Sequence, residues 1–317
     1  MEIHGGTGKK TVSDDLSVIV LTFNEEKHIE RCLRSVQGIA RQVFVVDSFS
    51  TDKTVELAKA MGAVVAQRPW KNYADQFQWA LDHYAEYCGQ TTEWVMRLDA
   101  DEYLEPDLQQ ELPRVLAEVE EGIDGFYIHR KVFFYGKWIR HGGFYPHTLL
   151  RVWRHGKGRV EQRWMDEHIV LPPGSKTAML KGHLVDDNRK GITFWIAKHN
   201  SYASREAVDL LNNKYHLFER DDALKELDDP QAKWKRLLKE EVYSRLPLSL
   251  RSTLYFLYRY FLRLGFLDGV KGFIWHFMQG YWYRMLVDVK IMEIEERSGG
   301  DVEKIKRILA EEHGIEL

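Results

Sequence analysis

Apolar and polar positions change rhythm twice along the chain. Residues 16–22 (LSVIVLT) form a short β-branched run, the pattern of a strand buried on both faces. After Asn24, Glu25 and Glu26 the spacing becomes helical, with Ile29, Cys32, Leu33 and Val36 on one face. Residues 42–46 (QVFVV) predict a second buried strand, which ends at Asp47 and a turn rich in Ser and Asp. Asp52 or Thr51 suits the cap of the next helix, and Gly62 suits its end. Residues 63–66 predict a third strand, and Phe77, Leu81, Tyr84 and Cys88 mark another amphipathic helix. Residues 94–98 (WVMRL) predict a fourth strand that runs straight into Asp99-Ala100-Asp101-Glu102. Pro106 fits the first turn of a helix whose stripe is Leu108, Leu112, Val115 and Val119.

Strand and helix alternating at this spacing imply right-handed βαβ units and a parallel sheet. Ligands of such sheets bind beyond the carboxyl ends of the strands. Thr22 to Glu26, Asp47 to Asp52 and Asp99 to Glu102 all lie at such ends and are expected to converge on one crevice. From about Gly125 the pattern loosens. A strand over 126–134, a turn at Gly136-Lys137 and strands near 149–154 and 177–185 predict a mixed extension of the sheet. From Ile192 onward the spacing is helical. The fold class read from the chain is therefore α/β, with a mostly parallel central sheet and a mainly α-helical C-terminal region.

Composition narrows the function classes. With 44% hydrophobic and 29% charged residues in 317, the chain is an ordinary globular protein. Lys plus Arg number 45 against 48 Asp plus Glu, so no basic excess points to nucleic acid as a partner. Cys32 and Cys88 alone build neither a disulfide framework nor a Cys-rich zinc site, which suits a reducing, cytoplasmic compartment. Residues 1–15 read as a flexible polar tail with no apolar signal core, and no run reaches the roughly 18 apolar residues of a membrane span. Aromatic residues crowd the last third. Residues 251–267 and 270–292 are rich in Leu, Phe, Tyr and Trp, interrupted by Arg259, Arg263, Lys271, Arg284 and Lys290, with Asp268 and Asp288 as acids. Such a segment suits a membrane interface, and equally a docked helical layer or a subunit contact. Pro247 and residues 265–269 are expected to separate short helices there. A helix over 193–211 carries Arg205 and Glu206 and is a candidate bridge between domains. The charged helix after Ser298 is expected to be solvated.

Asp99-Ala100-Asp101 places two carboxylates on one side of a strand end, with Ala100 pointing away. Hard oxygen ligands held close suit Mg²⁺ or Mn²⁺ shared with a substrate diphosphate. A plain acidic turn capping the helix at Pro106 is the competing reading.

LTFNEE (21–26), VVDSFSTDKT (45–54) and RLDADE (97–102), in this order, resemble glycosyltransferase family 2, whose fold is of the GT-A type. The likeness is closest to a bacterial subgroup that includes lipopolysaccharide-core β-glucosyltransferases. It is strong over 16–107 and looser to about 184. It implies a catalytic domain over 16–190, with a nucleotide-binding half at 16–107 and an acceptor-side half at 108–190. A helical region over 191–317 follows, with an amphipathic aromatic and basic segment at 245–292. Carried over by position, Thr22 and Glu25 line a nucleobase pocket and Asp47 bonds base or ribose. Asp99 meets ribose or metal, and Asp101 holds the Mn²⁺ or Mg²⁺ that bridges the donor diphosphate. Ser48 departs from the family, where a second acid is frequent, and Phe49 stands where Gly is common.

The resemblance also implies a general base on the acceptor side. Residues 160–171 (VEQRWMDEHIVL) supply Glu167 as that base, Asp166 as its alternative and Glu161 as a weaker third, with Trp164 as a stacking wall. A surface Asp-Glu pair is the plainer reading. His183 is either a further metal ligand, a diphosphate donor or a structural hydrogen-bonding residue. Arg97, Lys131, Arg151 and Arg154 are candidates to meet phosphates, with solvated surface cations as the plainer reading. His141-Gly142-Gly143 is either a closing loop or a simple turn.

The expected activity is inverting transfer of a hexose from a nucleotide sugar, with UDP favoured. The expected acceptor is a hydroxyl of a lipid-linked saccharide in envelope polysaccharide or lipopolysaccharide synthesis. The chain would then work peripherally on the inner face of the cytoplasmic membrane, with self-association open. A sugar nucleotidyltransferase and a non-catalytic, membrane-associated relative are the alternatives. Against the first, LTFNEE is acidic where a Gly-rich, cationic loop would cradle a triphosphate. No G-x-G-x-x-G follows the first strand, which argues against a dinucleotide oxidoreductase.

Overall fold

The computed structural model describes residues 15–119, 122–161, 168–218 and 248–315. They form two compact units. The first holds the described residues up to Arg130 with His147–Arg159 and Gly174–Asp186. The second holds Lys131–Pro146, the described residues of Val160–Pro173, and those from Asp187 onward.

The first unit is built on a sheet whose strands are β1 (Leu16–Thr22), β2 (Gln42–Asp47), β3 (Val64–Gln67), β4 (Trp94–Asp99) and β5 (Glu102–Leu104), followed by β6 (Ile123–Phe134). After β7 (Lys137–Ile139), which pairs with β6, come β8 (His147–Arg154) and β11 (Lys176–Asp186), while β9 (Arg159–Val160) and β10 (Ile169–Val170) pair with each other in a separate two-stranded sheet. The order is β3-β2-β1-β4-β8-β6-β11-β5. The first four strands run parallel, as their unbroken apolar runs require, and β4 pairs antiparallel with β8. This is the expected GT-A type arrangement, with the predicted mixed extension. The very short β5 was not foreseen. It pairs antiparallel with the end of β11, Glu102 opposite Asp186.

Helices α1 (Ile29–Val36), α2 (Thr54–Ala60), α3 (Tyr73–Cys88) and α4 (Pro106–Glu118) cover the sheet. Leu16, Val18, Val20, Met96 and Leu98 pack with Ile29, Leu33, Leu108 and Leu112 in one core. On the alternate side chains, Ile19, Phe44, Phe77 and Trp153 are buried as well. The Asn72 side chain caps α3 by accepting the Asp75 amide at 2.8 Å, and Gly89, at φ 75°, ends it in the left-handed region. Asp52 takes the Thr54 amide at 3.0 Å where α2 begins. Gly182 on β11 has no room for a side chain, since a Cβ there would lie 2.4 Å from the Leu108 Cα. That close approach lets Glu111 and Asp107 of α4 accept the amides of Lys181, Gly182 and His183.

The second unit is mostly helical. Its helix α5 (Ile192–Tyr215) outruns the predicted 193–211 span at both ends. Ala203, Ala207 and Leu211 of α5 pack against Tyr283, Val287 and Ile294 of the helix Tyr283–Ser298. Glu206 fastens the same pair, accepting from the Tyr283 hydroxyl at 2.7 Å and from Arg284. The helix Val302–His313 is not merely solvated: Ile305 and Leu309, one turn apart, are fully buried in this core. Residues 265–269 do separate short helices, as a 3-10 turn over Gly265–Asp268. Among the described residues, no helix is long and apolar enough to cross a membrane.

One buried ion pair holds the C-terminal helices. Arg251 bonds Asp288, and Ser252 Oγ donates to the same carboxylate at 2.9 Å; all three are almost wholly buried. Asp288→Ala strands the guanidinium in the interior. It is expected to lose about 3–5 kcal/mol in urea unfolding, against about 1 kcal/mol for Ser252→Ala. Two histidines add an acid sensitivity. Burial lowers His199 to about 4, and burial together with the Arg259 charge lowers His276 to about 4. In the unfolded chain both titrate near ~6.5. Their contribution is thus present above that pH and lost as pH falls towards 4. The urea midpoint is expected to drop between pH 7 and pH 5, and His199→Gln should flatten part of that drop.

Candidate active site

The register of the parallel strands lines up the site. Thr22 stands opposite Asp47, Asp47 opposite Gln67, and Leu21 opposite Asp99. The three polar clusters therefore meet at one sheet edge, as the topology predicts. Asp47 is fully buried there and its carboxylate is saturated. Thr22 Oγ1 donates at 2.9 Å, the Ser50 amide at 2.8 Å and Gln67 Nε2 at 3.0 Å, with Ser50 Oγ as a fourth donor. Asp47 thus ties the loops after β1, β2 and β3 together.

The loops after β1 and β2 are further laced to each other. The Asn24 amide donates to Ser50 Oγ and the Thr51 amide to Asn24 Oδ1, each at 2.8 Å. The Glu25 amide donates to Thr54 Oγ1 at 2.6 Å, while the Glu25 carboxylate pairs with the buried His28 at 2.6 Å. Asn24 and Phe49 both sit in the left-handed region, at φ 55° and 59°. Asn tolerates that conformation readily, whereas Phe does not, so the position where the family favours Gly keeps the glycine geometry with an aromatic side chain. Phe49 and Phe23 are more than half exposed at this edge.

At the end of β4, Asp99 is held on three sides. The Tyr73 hydroxyl donates at 2.9 Å, Arg151 at 3.2 Å and Arg97 at 3.4 Å. Burial alone would raise its pKa; Arg97, Arg151 and Tyr73 outweigh it and hold the carboxyl well below the usual range. Burial pushes Tyr73 up, which keeps its phenol protonated as the donor. Glu102 lies beneath, buried, and accepts the Asp99 amide at 3.1 Å, Arg151 at 2.7 Å and Arg130 at 3.3 Å. Its burial, reinforced by the Asp99 charge, raises its pKa against the pull of Arg151. Arg151 is itself almost fully buried, and its Nε and Nη1 find no hydrogen-bond partner among the described residues. Under the turn, the Cys32 thiol faces the Asp99 carbonyl at 3.7 Å, and burial keeps it protonated.

Asp101 follows in the turn, half-buried, with its carbonyl accepting from Arg31 at 3.3 Å. Ala100 between the two acids is buried, as the alternation predicts. The two carboxylates therefore differ in kind. Asp99 is held among Tyr73, Arg97 and Arg151, while Asp101 is half-buried on the turn. A hard cation that keeps several waters and a substrate diphosphate needs only one or two carboxylates, so Asp101 fits it.

His183 goes elsewhere. Its Nδ1 lies 2.7 Å from Asp107 and 4.0 Å from Glu105, at the start of α4, and its amide also bonds Asp107. This Glu105–Asp107–His183 group is a cluster of metal-ligand type among the described residues, and it contains neither Asp99 nor Asp101. Of the base candidates, Glu167 and Asp166 lie outside the described residues. Glu161 is buried in the second unit beside His168, 3.4 Å away. His141-Gly142-Gly143 is a braced turn: His141 pairs with Asp268 at 2.7 Å, and Gly142 is bonded by Arg259 and to Arg263. Arg154 packs over the Trp94 ring at 4.5 Å and bonds Glu93. Tyr73 and Arg130 were not singled out from the sequence, and no local pattern marks them, because they meet Asp99 and Glu102 only through the pairing of distant elements. Glu102 was read only as part of the acidic cluster Asp99 to Glu102, without a role of its own.

Comparison with known proteins identifies the family. The pattern of glycosyl transferase family 2 matches residues 17–186. The lipopolysaccharide core biosynthesis glycosyltransferase LpsC of Rhizobium meliloti is 31% identical over 202 residues, covering 61% of this chain and 70% of LpsC. An uncharacterized glycosyltransferase of Rickettsia bellii is 41% identical over 102 residues, 32% of this chain, and the match spans only about a third of that relative's length (33%). Among solved structures, the mannosyltransferase PcManGT of Pyrobaculum calidifontis, in complex with GDP-Man and Mn²⁺, has a TM-score of 0.47 at 15% identity, covering 87% of this chain and 86% of that one. Because the family pattern runs through more than half of its length, the chain belongs to glycosyl transferase family 2.

Proposed function

We propose that this glycosyltransferase moves a hexose from a UDP-sugar, with inversion, to a hydroxyl of a lipid-linked saccharide in lipopolysaccharide or envelope polysaccharide synthesis. The observation that carries the reading is the single edge shared by Thr22, Asp47, Asp99 and the Asp101 turn. The likeness to a protein named for lipopolysaccharide core biosynthesis supports the acceptor class. Residues 16–190 carry the chemistry, and the helical region supports peripheral attachment to the inner face of the cytoplasmic membrane.

In this reading, Thr22, Glu25 and Asp47 form the nucleoside end of the donor site. Asp47 acts by fixing the loops, since its own oxygens are taken. Phe23 and Phe49 offer faces for the base. Asp99, kept ionised by Arg97 and Arg151, accepts from ribose hydroxyls. Asp101 would hold Mn²⁺ or Mg²⁺, which supplies charge neutralisation for the leaving diphosphate when bound. Glu167 takes the proton from the acceptor hydroxyl. That oxygen bonds to the anomeric carbon as the bond to the diphosphate oxygen breaks, which inverts the centre.

Nucleotide binding tests the donor site. UDP with Mn²⁺ at about 100 times its dissociation constant is expected to stabilise the chain by about 2.7 kcal/mol, a shift of a few degrees in Tm. Asp101→Ala should lose the metal-dependent part. An equal shift in wild type and variant would remove Asp101 from the metal site, and a shift with GDP alone would reassign the donor. Glu167→Gln should retain UDP binding and lose turnover by about 10²–10⁴-fold. Full transfer in Glu167→Gln, with loss in Asp166→Asn, would move the base by one residue.

A further inference from the structure

The second unit carries a solvent-exposed apolar turn that its own core does not explain. Helix 248–257 passes into a π-helical turn (Tyr258–Leu262), then a 3-10 turn (Gly265–Asp268), then the helix Gly269–Trp275. Leu262 is 75% exposed and Val270 77%. Leu264, Phe266, Leu267 and Phe273 between and beside them are all exposed too. Isolated exposed apolar residues are ordinary, but this many in one contiguous turn mark a contact surface.

The turn is rigid. Leu264 adopts φ 60°, a conformation that a leucine holds only when its surroundings fix it. The fixing contacts lie on the inner side. The Gly142 amide donates to the Arg263 carbonyl at 2.8 Å, and His141 grips Asp268 through its amide at 2.9 Å and its ring at 2.7 Å. The Arg259 guanidinium bonds the Gly142 carbonyl at 2.7 Å and lies 3.8 Å from the Phe144 ring centroid. Arg259 and Asp268 of this segment are thus turned inward, and the apolar side chains outward.

Charge selects the occupant. Between Leu248 and Val287 the only acidic residue is Asp268, which is buried and bonded to His141. The exposed charges on the turn and the helix that follows are Arg263 and Lys271, both cationic with long stems, the Lys271 ammonium also donating to the Tyr135 carbonyl at 2.6 Å. An apolar tip rimmed by Arg and Lys, without an exposed acid, matches the acyl boundary and anionic headgroups of a lipid leaflet. A second copy of the chain would bring Arg263 and Lys271 against like charge.

We propose that residues 261–273 form a preformed wedge that inserts Leu262, Leu264, Leu267 and Val270 into an anionic phospholipid surface. Arg263 and Lys271 then sit at headgroup depth. The assignment extends the peripheral-membrane reading above by naming the segment and the lipid class, and its test needs neither donor nor acceptor.

The full chain is floated with vesicles of phosphatidylcholine alone and of phosphatidylcholine with an equal part of phosphatidylglycerol. The wild type is expected to float with the anionic vesicles. Leu262→Glu with Val270→Glu should weaken that partition about tenfold or more, with Tm and the UDP-dependent shift unchanged. Arg263→Gln with Lys271→Gln should remove mainly the preference for phosphatidylglycerol. A wild type that stays in solution with both vesicles overturns the proposal, as does a Leu262→Glu, Val270→Glu protein that floats as well as the wild type. A wild type that does not float but sediments as a dimer, dispersed by the same pair of substitutions, reassigns the turn to a contact between copies. Loss of the UDP shift with flotation intact would count against the donor site and leave the wedge standing.

Discussion

Arg151 places a positive charge in the interior, 2.7 Å from Glu102 and 3.2 Å from Asp99. An unpaired guanidinium at that depth would be prohibitively unfavourable, and so would two carboxylates without it. Arg130 shares the task, reaching Glu102 at 3.3 Å and Asp186 at 3.4 Å. The acids at the end of β4 therefore depend on cations delivered by the mixed half of the sheet. The parallel half brings backbone ends and carboxylates together, and like charges there would repel. β8, antiparallel to β4, and β6, antiparallel to β8 and so directed like β4, bring Arg151 and Arg130 to the same place.

The same logic separates the two acids of the Asp-Ala-Asp motif. Asp99 is neutralised by its own chain and fixed in place; Glu102 takes its amide, so the strand end and the turn are held as one piece. Asp101 lies one step beyond this braced segment. A rigid support under a half-buried carboxylate is what a charged ligand needs, because the geometry is set before the ligand arrives. Asp47 plays the corresponding part for the loops after β1 and β2, spending its four acceptor sites on Thr22, Ser50 and Gln67.

Much of the parallel half was legible in the sequence, and the reason is burial on both faces. LSVIVLT and QVFVV are continuous apolar runs, so strand and polar terminus both stand out. The convergence of Thr22, Asp47 and Asp99 then followed from topology alone. The partners of those acids were not legible. Tyr73, Arg130 and Arg151 meet Asp99 or Glu102 through pairing across 26 to 52 residues; Arg151 was a candidate for phosphate, and nothing local marks its contact with these acids. Short strands such as β5 carry too few residues for any periodicity. His183 read in sequence as a metal ligand, a diphosphate donor or a structural hydrogen-bonding residue, and its partner was not legible: β11 brings it against Asp107 at the start of α4. The last helix read as solvated because its charges outnumber its apolar residues, although Ile305 and Leu309 at one-turn spacing suffice to bury a stripe.

The missing side chain at Gly182 reaches beyond packing. β5 pairs with β11 only over Leu184, Val185 and Asp186, so the stretch just before them runs past the end of its neighbour. Bare amides there would be an invitation to a strand from another molecule. Because α4 can settle directly on Gly182, the carboxylates of Glu111 and Asp107 claim the amides of residues 181–183 first. A helix thereby does the work of an edge strand over residues 181–183, and withholds those amides from self-templated aggregation.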